Sequence, residues 1–204
     1  MQQQDMFSNG PVWPHGLAFH AEFISPDEEV ALLARFAELP FRAAKYRHYT
    51  ARREVVLFGT EDFIGSGADA EEDFPRMAFP GFLHNVRGRV ATKLGIEEQD
   101  LVHGLVTRYP VGAPIGWHRD APPFDKIAGL SVGSDERMRF KPVRANNARP
   151  FYLPLPRRSL YLMRDNIRWD WLHSLAPVKQ LRYSITFRTL LALTPEGTHR
   201  MSTL

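Results

Sequence analysis

His118 and Asp120 are separated by a single residue and follow a turn rich in glycine and proline. In an extended segment alternate side chains point to the same face, so this imidazole and this carboxylate project together. A third ligand from a distant strand would place two histidines and one carboxylate on one face of an octahedral metal. That arrangement leaves positions open for a bidentate cosubstrate and O2, as a non-haem Fe(II) oxygenase requires.

The third ligand is less well defined by the sequence. His173 lies in the apolar stretch Trp-Asp-Trp-Leu-His, where a lone histidine is more often a hydrogen-bonded core residue than a ligand. His199, in the C-terminal tail, is the alternative third ligand. The chain contains no cysteine, so a thiolate metal site and a disulfide framework are both excluded.

A strictly alternating segment at residues 182–188 is the best candidate for the wall of a binding pocket. Arg182, Ser184, Thr186 and Arg188 fall on one face, and the residues between them are apolar. A polar strand face with two arginines is either an exposed edge or the lining of an anion pocket. Taken alone, the segment favours the exposed edge.

The elements that position these residues follow from local patterns. Ser25-Pro-Asp-Glu28 predicts a capped helix that ends by Pro40, and an apolar stripe predicts a second helix over residues 80–94, stopped by Gly95. Short strands are predicted beyond residue 101, with a basic loop at residues 141–150. An earlier strand is predicted at residues 53–58, followed by a loop or flap over residues 59–74. The predicted later strands are residues 102–109, 127–132, 138–140, 159–163 and 182–190.

Composition limits the class of protein. A chain of 204 residues with 44% hydrophobic and 24% charged residues is typical of one globular domain with a full core. The N-terminal residues lack the order of a signal peptide and no apolar run reaches transmembrane length. We therefore expect a cytoplasmic monomer with no membrane contact and no obligate protein partner. The net charge of +3 permits a polyanionic partner without requiring one.

Over residues 23–190 the chain resembles the AlkB-type Fe(II)/2-oxoglutarate dioxygenases. The resemblance lies in an ordered set of motifs: Thr107-Arg-Tyr109, Gly112, His118-Arg-Asp120, His173 and Arg182-x5-Arg188. It implies an α+β, mainly β fold, a double-stranded β-helix or jelly-roll. Residues 1–100 would supply supporting helices and a nucleotide-recognition flap, and residues 101–194 the catalytic core of a single domain, 1–204.

The resemblance also implies roles for individual residues. His118, Asp120 and His173 would be the catalytic Fe(II) ligands, Arg182 and Tyr109 would bind the distal carboxylate of 2-oxoglutarate, and Arg188 would support its metal-proximal carboxylate. Thr107 and Ser184 would line the same cosubstrate pocket. Four positions depart from the usual family pattern and leave the substrate open: Thr107, Pro122, Asp165 and Ser184.

The implied reaction uses Fe(II), 2-oxoglutarate and O2 to demethylate N-alkylated bases in DNA or RNA, with release of formaldehyde, succinate and CO2. A basic and aromatic segment at residues 41–53 could hold phosphates and stack a base, although it could equally be a solvated strand pair. A same-fold oxygenase of a protein, lipid or small molecule is the alternative, followed by a non-catalytic jelly-roll module. The candidate substrate-binding residues are Arg52, Arg53, Phe58 and Trp117.

Overall fold

Two sheets make up most of the computed structural model, which describes residues 13–46, 49–59, 76–144 and 148–192. Within these residues the early strands are β1 (Leu17–His20), β2 (Arg42–Tyr46), β3 (Tyr49–Gly59) and β4 (Arg76–Met77). The later strands are β5 (His103–Tyr109), β6 (Ile115–His118), β7 (Phe124–Val132), β8 (Glu136–Pro142), β9 (Phe151–Leu155), β10 (Leu160–Met163), β11 (Trp171–Leu175) and β12 (Arg182–Leu190). The helices are α1 (Pro26–Ala37), α2 (Gly81–Leu94) and the short α3 (Asp165–Trp169).

The larger sheet has the order β1-β10-β7-β12-β5-β3-β2, with β4 paired to β3, and the smaller sheet has the order β6-β11-β8-β9. Neighbouring strands are antiparallel except for the pair β3 and β4. This arrangement confirms the predicted mainly β, jelly-roll-like architecture. Four strands that precede residue 100 belong to the larger sheet, so the N-terminal part contributes more than helices and a flap.

One core lies between the larger sheet and the helices. Phe36 of α1 and Leu83 and Val90 of α2 pack on the same cluster as Ile185 and Phe187 of β12. A second core lies between the sheets, where Phe140, Leu153, Tyr161 and Met163 are among the buried residues. The larger sheet is therefore covered by helices on one face and by the smaller sheet on the other.

This layering explains the alternation in β12. The strand is hydrogen-bonded to β7 on one side and to β5 on the other, so it is central in its sheet and not an edge. Its apolar residues face the helices, which leaves Arg182, Ser184, Thr186 and Arg188 on the face toward the smaller sheet. The interpretation of β12 as an exposed edge is thus wrong.

Both predicted long helices are confirmed with their ends. The Ser25 side chain accepts a hydrogen bond from the Glu28 backbone N–H, and the Glu28 carboxylate accepts one from the Ser25 N–H. Gly95 ends α2 in the left-handed conformation, with φ 67°.

Two loops were also predicted. Of the predicted flap at residues 59–74, only Gly59 is among the described residues. The predicted loop at residues 141–150 begins late, because Lys141 and Pro142 still pair with β11.

We expect Ser25→Ala to lower the free energy of unfolding by about 1 kcal/mol, because it removes the capping bond at the start of α1. In a chain of this size that loss corresponds to a melting temperature lower by about 3 °C. Thermal unfolding followed by circular dichroism would measure the change. Ser25→Asp, which retains a capping acceptor, should melt close to the wild type.

Candidate metal and cosubstrate site

The three predicted ligands converge at the β6 edge of the smaller sheet. His118 on β6 and His173 on β11 are directly opposite each other in the antiparallel register, and Asp120 follows β6 by two residues. The two imidazole centroids are 4.2 Å apart, and His173 Nε2 lies 3.5 Å from Asp120 Oδ2. One ligand atom from each of the three side chains lies within 4.8 Å of the others. A single ion could therefore contact all three.

The protonation states of these three side chains suit the binding of a metal cation. Burial lowers the pKa of His173 to about 3 and also lowers the pKa of His118. Burial acts to raise the pKa of Asp120, but Arg188, followed by His173 and His118, outweighs it and holds that pKa well below its usual range. The site thus offers two neutral imidazoles and one ionised carboxylate at neutral pH, the protonation states that metal ligands need.

The carbonyl of Gly116 orients the ring of His118. His118 Nδ1 lies 2.9 Å from this oxygen, which assigns the ring proton to Nδ1 and leaves Nε2 as the free donor atom. When one ring nitrogen of a histidine binds a metal, a hydrogen bond from the other ring nitrogen fixes both the tautomer and the direction of the ring. Gly116 and His118 both belong to β6, so the strand that carries this predicted ligand also orients it.

Two arginines donate hydrogen bonds to Asp120, one to its carboxylate and one to its backbone carbonyl. Arg188 Nε and one terminal nitrogen both donate to Asp120 Oδ1, at 2.8 and 2.6 Å, which leaves Oδ2 facing His173. Arg168 donates through one nitrogen to the carbonyl oxygens of Asp120, Ala121 and Phe124. Arg168 was not found from the sequence, because it lies 48 residues from Asp120 and no local pattern marks it. The structure thus places Arg188 beside Asp120, a predicted metal ligand.

A second buried cation lies further along β12. Arg182 is 2% exposed, and its guanidinium carbon lies 5.1 Å from the ring centroid of Tyr109. One terminal nitrogen donates to Ser131 Oγ at 3.3 Å, while Nε has no hydrogen-bond partner among the described residues. A buried guanidinium with a spare donor suits a carboxylate, which binds arginine through two parallel bonds.

The other residues that are predicted to bind the cosubstrate lie beside this arginine. Arg182 is paired with Tyr109 across β12 and β5, and Ser184 is paired in the same way with Thr107. Thr107 and Ser184 are both buried. The polar face of β12 thus carries one arginine at the metal cluster and another six residues away, which suits an elongated dicarboxylate with one end at each arginine.

Tyr161 is a further residue close to the site that the sequence did not indicate. It is opposite Gly129 across β10 and β7, and a Cβ at Gly129 would lie 2.4 Å from the Tyr161 hydroxyl oxygen. The tyrosine therefore fills the space left by the glycine. Burial, then the charge of Asp120, raises its pKa above the usual range, so the phenol stays neutral. Its only sequence signal was an aromatic residue inside a short apolar run.

Among the predicted substrate-binding residues, two lie near the cluster. Arg53 is buried on β3, and its charge acts on His118. Trp117 precedes His118 on β6 and is 40% exposed. Arg52 belongs to β3, and its side chain reaches the turn after β5, where a terminal nitrogen donates to the Val111 carbonyl oxygen at 3.4 Å.

The assignment of Phe58 to substrate binding is wrong. Phe58 is 0% exposed and belongs to the core between the larger sheet and the helices, where its ring stacks on that of Phe79. The strand alternates, so the residue that resembled a recognition position points away from solvent. In the predicted basic and aromatic segment, Arg47 lies outside the described residues.

The lowered histidine pKa values predict how the stability of the metal-free protein depends on pH. An unfolded histidine takes up a proton near pH 6.5, whereas folded His173 does so only near pH 3. Between these values the unfolded state binds more protons, so stability is retained above pH 6.5 and falls as the pH decreases below it. Lowering the pH from 7.5 to 5.5 should remove about 1 kcal/mol through His173.

Thermal unfolding in the presence of a chelator at these two pH values would measure the effect. His173→Gln should show a smaller decrease, because it lacks the buried imidazole. An equal decrease in both proteins would contradict the assignment.

Comparisons with known proteins agree with this geometry. The family model of the 2OG-Fe(II) oxygenase superfamily matches residues 16–188. The uncharacterized protein L905 of Acanthamoeba polyphaga mimivirus is 26% identical over 197 residues, covering 87% of this chain and 86% of that protein. The tRNA (carboxymethyluridine(34)-5-O)-methyltransferase alkbh8 of Xenopus tropicalis is 26% identical over 172 residues, covering 83% of this chain and 26% of that protein.

Two solved structures share the fold. The structure of OsALKBH1 matches with a TM-score of 0.66 at 14% identity. The match covers 88% of this chain and 100% of the OsALKBH1 chain. A prolyl-4-hydroxylase from Pseudomonas putida matches with a TM-score of 0.55 at 16% identity, covering 87% of this chain and 94% of that one. At such identities the two matches concern the fold alone.

Two histidines and one carboxylate on a double-sheet scaffold form the ligand set that non-haem iron oxygenases use. The chain belongs to the 2OG-Fe(II) oxygenase superfamily, whose match spans most of its length. It is a dioxygenase that uses Fe(II), 2-oxoglutarate and O2. The AlkB-type resemblance predicted from the sequence is confirmed. None of the described helices is long and apolar enough to cross a membrane.

Proposed function

We propose that this dioxygenase demethylates N-alkylated bases in DNA or RNA and releases formaldehyde, succinate and CO2. The observation that carries the proposal is the charge around the cluster. Several charged side chains act on the two histidines of the cluster. They include three arginines, Arg53, Arg168 and Arg188, and a single carboxylate, Asp120. A positive site favours an anionic cosubstrate and a substrate that carries phosphates.

Two further observations support a nucleic acid. Arg53 approaches the cluster from β3, whereas the arginines assigned to Asp120 and to the cosubstrate belong to α3 and β12. A basic side chain on this separate side suits a substrate phosphate or the polar edge of a base. In addition, the relative alkbh8 is named as an enzyme of tRNA, although this chain spans only 26% of its length.

The roles of the residues follow from their positions. His118, Asp120 and His173 would hold the iron, which when bound supplies the capacity to oxidise a C–H bond with O2 and 2-oxoglutarate. Arg182 and Tyr109 would bind the distal carboxylate of 2-oxoglutarate, and Arg188 keeps Asp120 ionised and turned toward the histidines. Oxidation of an N-methyl group would give N-hydroxymethyl. Its C–N bond then breaks as the hydroxyl proton is lost, so formaldehyde leaves and the electron pair of that bond stays on the nitrogen.

A panel of oligonucleotides tests the proposal. Single-stranded and duplex DNA and RNA, each with one methyl group on the pairing edge of an adenine or a cytosine, are incubated with enzyme, Fe(II) and 2-oxoglutarate. We expect loss of the methyl group by mass spectrometry together with formaldehyde, and neither product when iron or 2-oxoglutarate is omitted. Binding should weaken steeply as the salt concentration rises, because phosphates are contacted.

Two results together would contradict the proposed nucleic-acid substrate. Succinate formation that no methylated oligonucleotide stimulates, together with oligonucleotide binding that does not respond to salt, would exclude a nucleic-acid substrate. Hydroxylation of a peptide, lipid or small molecule under the same conditions would then identify an oxygenase of the same fold with a different substrate.

A further inference from the structure

The outer face of the smaller sheet is a second positively charged surface, distinct from the pocket. On β8 the buried Met138 and Phe140 face the core, and the alternating Arg137, Arg139 and Lys141 face outward. Three cations therefore follow one another at every second position of a single strand. The sequence suggested only a basic loop in this region.

Two exposed aromatic residues flank these cations. Trp117 on β6 is 40% exposed, and Lys141 Nζ and the Arg139 guanidinium lie 4.5 and 5.1 Å from its ring centroid. Tyr152 on β9 is 56% exposed and opposite Arg139 in the register, with the Arg137 guanidinium 4.7 Å from its ring centroid. The cations of β8 thus lie between two aromatic rings, one on the edge strand β6 and one on the edge strand β9.

Little on this face neutralises the charge. Glu136 is the only acidic residue in β6, β8, β9 and β11, which the structure describes in full, and its carboxylate accepts a bond from the Lys179 backbone N–H. Within the described part of the chain, none of Arg137, Arg139 and Lys141 forms an ion pair with a carboxylate, and Arg139 Nε lacks a hydrogen-bond partner. Uncompensated cations beside exposed rings suit a polyanion whose units carry flat apolar groups.

We propose that this outer face, defined by Trp117, Arg137, Arg139, Lys141 and Tyr152, binds an unpaired nucleic-acid strand outside the reaction pocket. The cations contact phosphates, and the rings of Trp117 and Tyr152 stack on separate bases, the combination that proteins use for single strands. Strands β6 and β9 are three strand spacings apart, about 14 Å, so the two rings engage different nucleotides.

The position of Trp117 links this face to the pocket. Trp117 and the metal ligand His118 are consecutive on β6, an edge strand, so their side chains lie on opposite faces of the same sheet margin. A strand lying on the outer face can turn around this edge toward the metal ligands. The inference rests on the proposed function, which it extends by adding a binding surface for nucleotides that flank the reacting base.

The test compares two triple variants with equal net charge. The first, Arg137→Gln/Arg139→Gln/Lys141→Gln, removes the cations of the outer face. The second, Arg35→Gln/Lys93→Gln/Arg164→Gln, removes three exposed cations from other elements. Binding of a fluorescein-labelled, unmodified dT15 oligonucleotide to the full chain is followed by anisotropy at several salt concentrations.

We expect the outer-face variant to bind dT15 about tenfold more weakly, with a salt dependence reduced by about 2 in logarithmic slope, as three lost phosphate contacts require. The control variant should stay within about twofold of the wild type. Equal weakening in both triples would show an effect of net charge alone and would overturn the proposal, as would unchanged binding in the outer-face variant.

A single substitution tests stacking independently of charge. Tyr152→Ala should weaken dT15 binding about fivefold with an unchanged salt slope, and Tyr152→Phe should restore it, because the ring is what stacks. Wild-type binding by Tyr152→Ala would contradict the role of the ring. The two proposals can fail separately. If only the outer-face proposal is wrong, the wild type still demethylates its substrate. If the proposed function is wrong, the wild type does not demethylate, whatever its affinity for dT15.

Discussion

Arg188→Met is expected to lower the free energy of unfolding of the metal-free protein by about 3 kcal/mol, and its melting temperature by about 10 °C. The side chains of Arg188 and Asp120 are 12% and 4% exposed, and two hydrogen bonds join them. Removal of the guanidinium leaves a carboxylate buried without its main partner, which costs far more than the loss of an exposed ion pair. Thermal or urea unfolding in the presence of a chelator would measure the change.

The double variant Arg188→Met/Asp120→Asn provides the control. It removes the buried charge together with its partner, so it should recover a large part of the lost stability. Arg35→Met, at an exposed arginine whose partner Glu38 is also exposed, should have almost no effect. A melting temperature for Arg188→Met equal to that of the wild type would show that the pair is not a source of stability.

Arg182→Met is expected to raise the KM for 2-oxoglutarate by about 100-fold, because charge-assisted hydrogen bonds to a buried carboxylate contribute roughly 1.5 to 3 kcal/mol. Arg182 is buried, has an unsatisfied Nε and lies against Tyr109, and these features match a site for one end of a dicarboxylate. Succinate formation as a function of 2-oxoglutarate concentration would give the KM and kcat separately.

Arg182→Lys separates charge from geometry. Lysine keeps the positive charge but lacks the planar pair of donors, so it should restore only part of the affinity. A KM close to the wild-type value in Arg182→Met would place the distal carboxylate elsewhere. A comparable loss in Arg35→Met would point to a general effect of charge.

Local sequence signals predicted the parts of the fold that obey local rules. The capping box at Ser25 and the left-handed Gly95 define the helix ends through hydrogen bonds within a few residues, and both were found from the sequence. The alternation of β12 likewise identified a polar face, because a strand has a period of two residues. Whether that face was an exposed edge or a pocket wall depended on β5 and β7, which are distant in sequence.

The site was predicted to the extent that its residues occur in motifs. The close spacing of His118 and Asp120 indicated two ligands, whereas His173 resembled a core histidine, and it is in fact buried and packed near Phe140. Arg168 and Tyr161 were not predicted, since their roles arise from tertiary contacts with the segment after Asp120 and with Gly129. The Phe58 assignment failed because resemblance located the strand correctly but did not settle which face the side chain occupies.

Asp165 illustrates a departure from the family pattern with a local physical explanation. Its φ of 52° lies in the left-handed region, where glycine is unstrained and aspartate is among the better tolerated alternatives. The residue begins α3, which carries Arg168 toward the carbonyls after Asp120. The backbone conformation that favours glycine is thus maintained with a different residue.

An anaerobic titration of Fe(II) into the chelator-treated protein tests the central claim most directly. The account predicts that one Fe(II) binds per wild-type chain, that 2-oxoglutarate tightens this binding, and that His118→Ala loses it while its circular dichroism spectrum stays that of the folded protein. Stoichiometric Fe(II) binding retained by a folded His118→Ala variant would contradict the assignment of His118, Asp120 and His173 as the metal ligands.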